Sequence, residues 1–391
     1  MLLQRLAITS AGLAVLLAAL PGETARRPRY GGVLRVEIGA AVRSLDSAVA
    51  AANDEEDAAK WEIESLIYDT RAADGQLHGA GPFHVTAFEA GKQAVLAATE
   101  DYRLGRPFVD SIEIAMGRVT RERILDLELN KTDFAEIPAE DARRAAERGV
   151  RVSQSQPDEL LALIFLGAPE PKRTRAVDLR TRQAVALSID RGAIVNFILQ
   201  KEGEPAGGLL PQWSSGTAFL FSTVADVVHA KELSAQIVPA PKIVLGYDSG
   251  DPLEQAVAER IAVDAREARV QLKAQAVRPG PENATDARLV RLRMQSKSPG
   301  PALESFIDTL GGITKIEGKA APDPVSPEGI YNRERAIVNS YRVVPLVWLP
   351  RVYGLSARVR DWTPPGPGES WPLADVWLDG PVEAAVEEGK K

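Results

Sequence analysis

The chain has 391 residues, 45% hydrophobic and 26% charged, with a formal net charge of -7. That is globular composition with enough length for two core-bearing lobes, and it lacks the basic surface a nucleic-acid partner requires. The absence of cysteine excludes disulfides, zinc–thiolate sites, thiol nucleophiles and a lipid-modified N-terminal cysteine, and the three histidines, His78, His84 and His229, are too few for a His-rich metal cage.

Residues 1–5 carry one positive side chain, 6–20 are apolar apart from Thr9 and Ser10, and Pro21-Gly22 breaks the run. This reads as a secretory signal peptide, with Ala25 a candidate cleavage position, so residues 1–25 are set apart from the fold. The rest of the sequence has no run of about 18 apolar residues of the kind a membrane span needs. Gly31-Gly32 opens a strand with Leu34, Val36 and Ile38 on one face. The acidic run 54–57 heads a helix expected to reach Ile67. Its carboxylates suit the positive end of the helix dipole, and adjacent side chains do not converge on an ion, so it reads as a solvated first turn. Residues 79–115 read as strands: Phe83, Val85 and Ala87 alternate, then Val95 and Ala97, then Ile112 and Ile114.

Residues 134–137 form a short strand, and Pro138 opens a helix where a missing N–H costs nothing. Gly149 stops that helix and 150–152 begins another strand, a small βαβ unit that argues for α/β architecture. The apolar run 160–166, closed by Gly167, Pro169 and Pro171, suits a buried strand leaving one lobe for another. Two helices follow over 179–199, the second capped by Asp190. From Lys242 a second α/β stretch begins: Ile243, Leu245 and Tyr247 alternate, Asp251 caps a helix with Pro252 at its first position, and Val270, Leu272, Ala274 and Ala276 alternate again. The polar, breaker-rich stretches 280–301 and 318–327 are expected as loop. Residues 333–340 read as a helix and 343–349 as a buried strand. The Pro/Gly-rich segment 363–372 leads to a last stretch, 382–391, of disordered composition.

Several segments, in order, resemble the family-five extracellular solute-binding proteins, the peptide, dipeptide and nickel receptors of ABC importers. Tyr30-Gly31-Gly32-Val33-Leu34-Arg35-Val36 is similar to that family's first strand, and Ser44-Leu45-Asp46 to its Leu-Asp-Pro element, with Ser47 in place of the proline. Gly79-Ala80-Gly81-Pro82-Phe83 resembles its Gly-Thr-Gly-Pro-Phe turn. The run from Asp178 through Arg182-Gln183-Ala184 to Ser188-Ile189-Asp190-Arg191 resembles its Val-Arg-Gln-Ala and Ala-Ile-Asp-Arg signature. Gly208-Leu209-Leu210-Pro211 extends that match, and Val343-Val344-Pro345-Leu346-Val347-Trp348 is similar to the return strand. The chain departs from the pattern between Tyr68 and Gly79, where a long stretch contributing to an extra, peptide-enclosing domain is reduced to a bridge too short for a domain. Pro299-Gly300-Pro301 stands where peptide receptors often carry an aspartate for the ligand's amino group.

The resemblance implies an α/β, two-lobed periplasmic-binding-protein-like fold: a first lobe over 28–166, a second over 167–343, a return segment over 344–380 and a tail over 381–391. It implies hinge strands near 161–166 and 343–349, with solute bound between the lobes. The expected function is that of a periplasmic, monomeric binding protein for oligopeptides or similar small solutes, serving an ABC permease in the inner membrane without a cofactor. Candidate ligand contacts are Asn53, Phe165, Trp213, Trp348 and Arg351. Each also has an ordinary structural reading: a cap for Asn53, core packing for Phe165 and Trp348, a turn for Trp213 and a surface charge for Arg351. Arg182, Asp190 and Arg191 read as structural. No nucleophile elbow, His-Glu-x-x-His or phosphate-cradling glycine loop argues for an enzyme. The rival class is a shortened member that keeps the scaffold as a structural or interaction protein.

Overall fold

The computed structural model describes residues 27–46, 48–51, 54–71, 77–78, 80–167, 177–216, 220–277, 285–316 and 326–380. The segment 1–25 expected as a signal peptide, the tail over 381–391, Asn53 and most of 318–327 lie outside the described residues. In chain order the main strands are β1 (Val33–Glu37), β2 (Phe83–Glu89), β3 (Gln93–Ala98), β4 (Ser111–Ala115), β5 (Phe134–Ile137), β6 (Arg151–Gln154), β7 (Glu159–Phe165), β8 (Glu204–Pro205), β9 (Lys242–Asp248), β10 (Gln271–Val277), β11 (Ala287–Arg293), β12 (Val343–Leu349) and β13 (Val352–Leu355). The main helices are α1 (Asp54–Ile67), α2 (Thr120–Glu128), α3 (Ala142–Glu147), α4 (Leu179–Ser188), α5 (Val227–Ala235), α6 (Pro252–Glu267), α7 (Pro299–Gly311) and α8 (Pro327–Asn339).

The strands make two mixed sheets. The first runs in the spatial order β2-β3-β4-β1-β5-β13-β6 and the second β8-β12-β7-β11-β9-β10. In the first, β1 lies parallel to β4 and β5, while the late strand β13 inserts antiparallel between β5 and β6. The expected βαβ unit is therefore split by a returning strand. One face of this sheet buries Leu34, Val36, Ile112 and Ile114 beneath Ile63 and Leu66 of α1, and Ile124 and Leu127 of α2 cover the other.

The second sheet is covered on both faces, so its strands read as near-continuous apolar runs. Along β7, Leu161, Leu163 and Phe165 enter one core with Val257 and Ile261 of α6. Leu160, Ala162 and Ile164 enter the other, with Leu303 and Phe306 of α7. The caps read from the sequence are present: Asp190 accepts from the Ala193 N–H at 2.9 Å and Asp251 from that of Glu254 at 3.0 Å, and Asp178 caps the preceding helix by accepting from the Thr181 N–H at 3.0 Å. Arg182 and Arg191 are buried: Arg182 ties α4 to the C-terminal end of α8 through the Ser340 carbonyl at 3.0 Å, and Arg191 donates to the Pro345 carbonyl of β12 at 2.8 Å.

Two expectations are corrected. First, 160–166 and 343–349 are not strands passing between lobes. They pair antiparallel as β7 and β12 at the centre of the second sheet. The chain changes sheet in the short links 155–158 and 350–351. An unbroken apolar run marks a strand buried on both faces, and a crossing segment has no such pattern. Second, 280–301 is not all loop: β11 and the start of α7 occupy it. Arg288, Arg291 and Arg293 hide the alternation of β11, and Pro299 and Pro301 lie in the first turn of α7, where proline is tolerated.

Among the described residues, the bridge between α1 and β2 holds a two-residue ribbon, Thr70–Arg71 with Leu77–His78. The Pro/Gly-rich segment after β13 is pinned to the first sheet by an aromatic cluster. Phe134 stacks on Tyr353 at 5.5 Å and meets the rings of Trp362 and Trp371 edge-on at 4.7 and 5.2 Å. Each such pair adds about 0.5–1.5 kcal/mol beyond area burial.

Candidate functional site

The two links that join the sheets are bonded to each other. The Ser155 N–H donates to the Arg351 carbonyl at 2.9 Å, the Asp158 N–H to that of Leu349 at 3.1 Å, and the Arg351 N–H to Ser155 Oγ at 3.0 Å. Arg351 and Asp158 form a buried ion pair across the links at 2.7 Å, with side chains 4% and 0% exposed. Nη2 of Arg351 also donates to the carbonyls of Pro365 and Gly366. A buried charge pair is tolerated only when its remaining donors and acceptors are satisfied, as these largely are.

Beside these links lies a groove of about 460 Å³, within the range of small-molecule sites. The first body supplies one wall through α1. Ile63 and Leu66 anchor that helix to the sheet, and the stripe Asp57, Lys60, Trp61 and Glu64, at spacings of three and four, turns to the groove. The opposite wall comes from the second body: Arg293 and Met294 at the end of β11, and Phe306 on α7. Arg351 closes the groove at the links, and Glu369 of the C-terminal segment borders it.

Most charges of the groove are matched within the protein. Lys60 lies 3.7 Å from Glu64 and donates to the Val49 carbonyl at 2.6 Å. Arg291 is bonded to Glu159 and Asp251, each at 2.7 Å. Glu369 pairs with Lys297. Behind the wall, Glu62 is 2% exposed, accepts from the Trp371 N–H at 2.8 Å and faces Arg351 at 3.8 Å. Burial pushes its pKa up to about 7, against the opposing pull of Arg293, the Trp371 N–H and Arg351.

The residues named from the sequence are spread unevenly about this groove. Asn53 lies outside the described residues, just beyond Ala51, which lines the groove. Phe165 is a core residue at the far end of β7, 1% exposed, and does not line the groove; the order of strands in the sheet, invisible in its run of apolar neighbours, places it there. Trp348 is also buried, 3% exposed, and stands behind the groove with its ring 6.2 Å from that of Phe306. Trp213 is half-buried and its indole N–H donates to the Pro157 carbonyl at 2.8 Å, which makes it a clamp on a link. Arg351 does line the groove, but its guanidinium fork is taken by Asp158. Sequence reading missed Trp61, Arg293 and Phe306. The stripe on α1 was available as period; Arg293 and Phe306 were hidden in and beyond a stretch that reads as loop.

A model of the bacterial extracellular solute-binding proteins, family 5 (middle), matches residues 48–302. A stretch of 129 residues, 33% of this chain, is 28% identical to the oligopeptide-binding protein AppA of Bacillus subtilis (strain 168) and spans 23% of that protein. The fold is similar to that of the periplasmic binding protein DppA of Helicobacter pylori, solved with the peptide STSA, with a TM-score of 0.69 at 14% identity over 90% of this chain and 99% of that one. It is also similar to NikA of Staphylococcus aureus, solved with Ni(L-His)2, with a TM-score of 0.61 at 17% identity over 80% of this chain and 71% of that one. The family is one of binding proteins rather than enzymes. Its model covers well over half of the sequence and includes the linking segment 155–158, α1 and β11, so the chain belongs to the bacterial extracellular solute-binding proteins of family 5.

Proposed function

We propose that this protein is the extracytoplasmic binding component of an ABC importer, which takes an oligopeptide or a similar small solute into the groove and presents it to an inner-membrane permease. One observation carries the reading: a groove of ligand size whose walls come from two separate sheets, joined by two short links at one end. That arrangement suits hinge closure, in which a few linking residues absorb the backbone rotation. The lobes are then the two sheet bodies, meeting at 155–158 and 350–351. Trp61 offers an apolar face to the solute, with the buried Phe306 packed behind the opposite wall, and Arg351 holds the hinge. The apolar leader over 1–25 is the export signal, the compartment is the periplasm, and the receptor acts as a monomer. The receptor performs no chemistry; transport energy comes from the importer's ATPase.

Native mass spectrometry of the protein exported to the periplasm tests this. The expected result is a population carrying small co-purified solutes, released by denaturation and identified as peptides. A second reading is favoured by the two-residue ribbon that replaces a peptide-enclosing domain: a member that keeps the scaffold for interaction and holds no solute. A protein that leaves the periplasm empty, and stays empty in the presence of a tripeptide pool, supports that reading and overturns the first.

A further inference from the structure

The Pro/Gly-rich segment after β13 belongs to the first body at both of its ends. Before it, the Trp362 ring meets those of Phe134 and Tyr353 edge-on at 4.7 and 5.2 Å. After it, Trp371 packs on Phe134 at 5.2 Å and its N–H donates to Glu62 of α1 at 2.8 Å. Between these two anchors the chain leaves its own body. At the links Arg351 holds the Pro365 carbonyl at 2.9 Å. Beyond them the tip, Gly368 and Glu369, borders the groove and lies against 295–297 of the second body. That seat is itself fixed: Met294 enters the core with Leu303 and Phe306 of α7, and Ser214 Oγ donates to the Lys297 carbonyl at 3.3 Å.

The fit at the seat is close. Gly368 has φ +74°, and a Cβ there would stand well inside contact distance of the Gln295 carbonyl oxygen, so glycine is what lets the two backbones approach this far. Glu369 adds an ion pair to Lys297 and also accepts from the Gly366 N–H at 2.8 Å. The pair is exposed and contributes little by itself; the backbone fit carries the contact. Pro364, Pro365 and Pro367 fix their φ angles, so the loop holds its shape without a core of its own.

We propose that 363–370 is a strap across the hinge, a third and non-covalent connection between the bodies. Its seat on 295–297 parts as the groove opens, so the strap sets the balance between open and closed receptor. This rests on the hinge-closure reading of the groove and adds the element that governs it. A weaker seat lowers the fraction of molecules ready to hold solute, and apparent affinity falls by the same fraction.

The test uses the exported protein, dialysed free of solute. The chain has no cysteine, so Lys297→Cys with Glu369→Cys, joined by a short bismaleimide, fastens the strap to its seat alone. Gly368→Ala lifts it. Should that chain not fold, Glu369→Lys sets like charges against each other at two exposed positions instead. Small-angle X-ray scattering gives the radius of gyration, and calorimetry gives the affinity for a pool of tripeptides. The lifted strap is expected to enlarge the empty protein and to weaken tripeptide binding about 3- to 10-fold. The cross-link is expected to shrink the empty protein and to slow release of solute trapped by it. A lifted strap and a cross-linked strap that both keep the wild-type radius overturn the proposal, and tripeptide uptake by that same protein leaves the solute reading standing. A radius that responds in a protein taking up no tripeptide supports the strap and removes the peptide reading instead.

Discussion

The links between the two bodies and the groove beside them hold the same kinds of side chain in opposite states. At the links, Arg351 and Asp158 are buried and engaged by each other, by backbone carbonyls and by the paired chain segments. Arg293 lies in the groove wall with no hydrogen bond or close ion pair among the described residues, its charge acting at longer range on Glu62 and Asp158 behind the wall. Both are arginines beside carboxylates, and burial alone does not separate their roles. What separates them is whether the donors are already spent. A saturated buried charge fixes geometry, whereas a half-buried one in the wall acts through its field on the carboxylates behind it.

This contrast can be broken from the saturated side first. Asp158→Ala leaves Arg351 buried without its carboxylate, and a loss of about 3–5 kcal/mol is expected in denaturant unfolding. A loss below about 1 kcal/mol would show the links to be more hydrated than their burial suggests. Glu62 behind the groove gives the next effect. In the fold it keeps its proton up to about pH 7, against an ordinary value of 4.5. Between those values the folded state binds more protons than the unfolded one, so stability falls as pH rises, by on the order of 3 kcal/mol. Glu62→Gln should flatten that part of the profile, measured as the unfolding midpoint from pH 4 to 8.

Smaller effects sharpen the comparison. Trp213→Phe keeps the ring and loses the hydrogen bond to the Pro157 carbonyl, at a cost of about 1 kcal/mol. The same substitution should leave tripeptide affinity near its wild-type level if Trp213 is a clamp, and reduce it tenfold or more, by roughly 1.4 kcal/mol, if it is a platform for ligand. Arg293→Gln should change stability least, by less than about 0.5 kcal/mol, because it removes no hydrogen bond or close ion pair among the described residues and only a longer-range attraction to Glu62 and Asp158.

Much of the scaffold was legible in the sequence because local rules and tertiary structure agree there. Asp190 and Asp251 cap the helices their spacing announces, and β9 and β10 follow their alternation. The links were misplaced because the strong apolar signals of β7 and β12 belong to strands buried on two faces, while 155–158 and 350–351 carry no periodic signal at all. β11 was missed for an electrostatic reason. Three arginines stand in it, and only the arrival of Glu159 and Asp251 from other elements makes Arg291 acceptable in a central strand. The groove suffered the same fate: its walls come from residues some 230 positions apart (Trp61 and Arg293), and no pattern within either segment refers to the other.

Small-angle X-ray scattering of the exported protein with and without the tripeptide pool tests the hinged groove most directly. Closure about the two links predicts a smaller radius of gyration on addition of peptide, with a bound species seen in parallel by native mass spectrometry. Identical scattering curves together with an empty protein would contradict it.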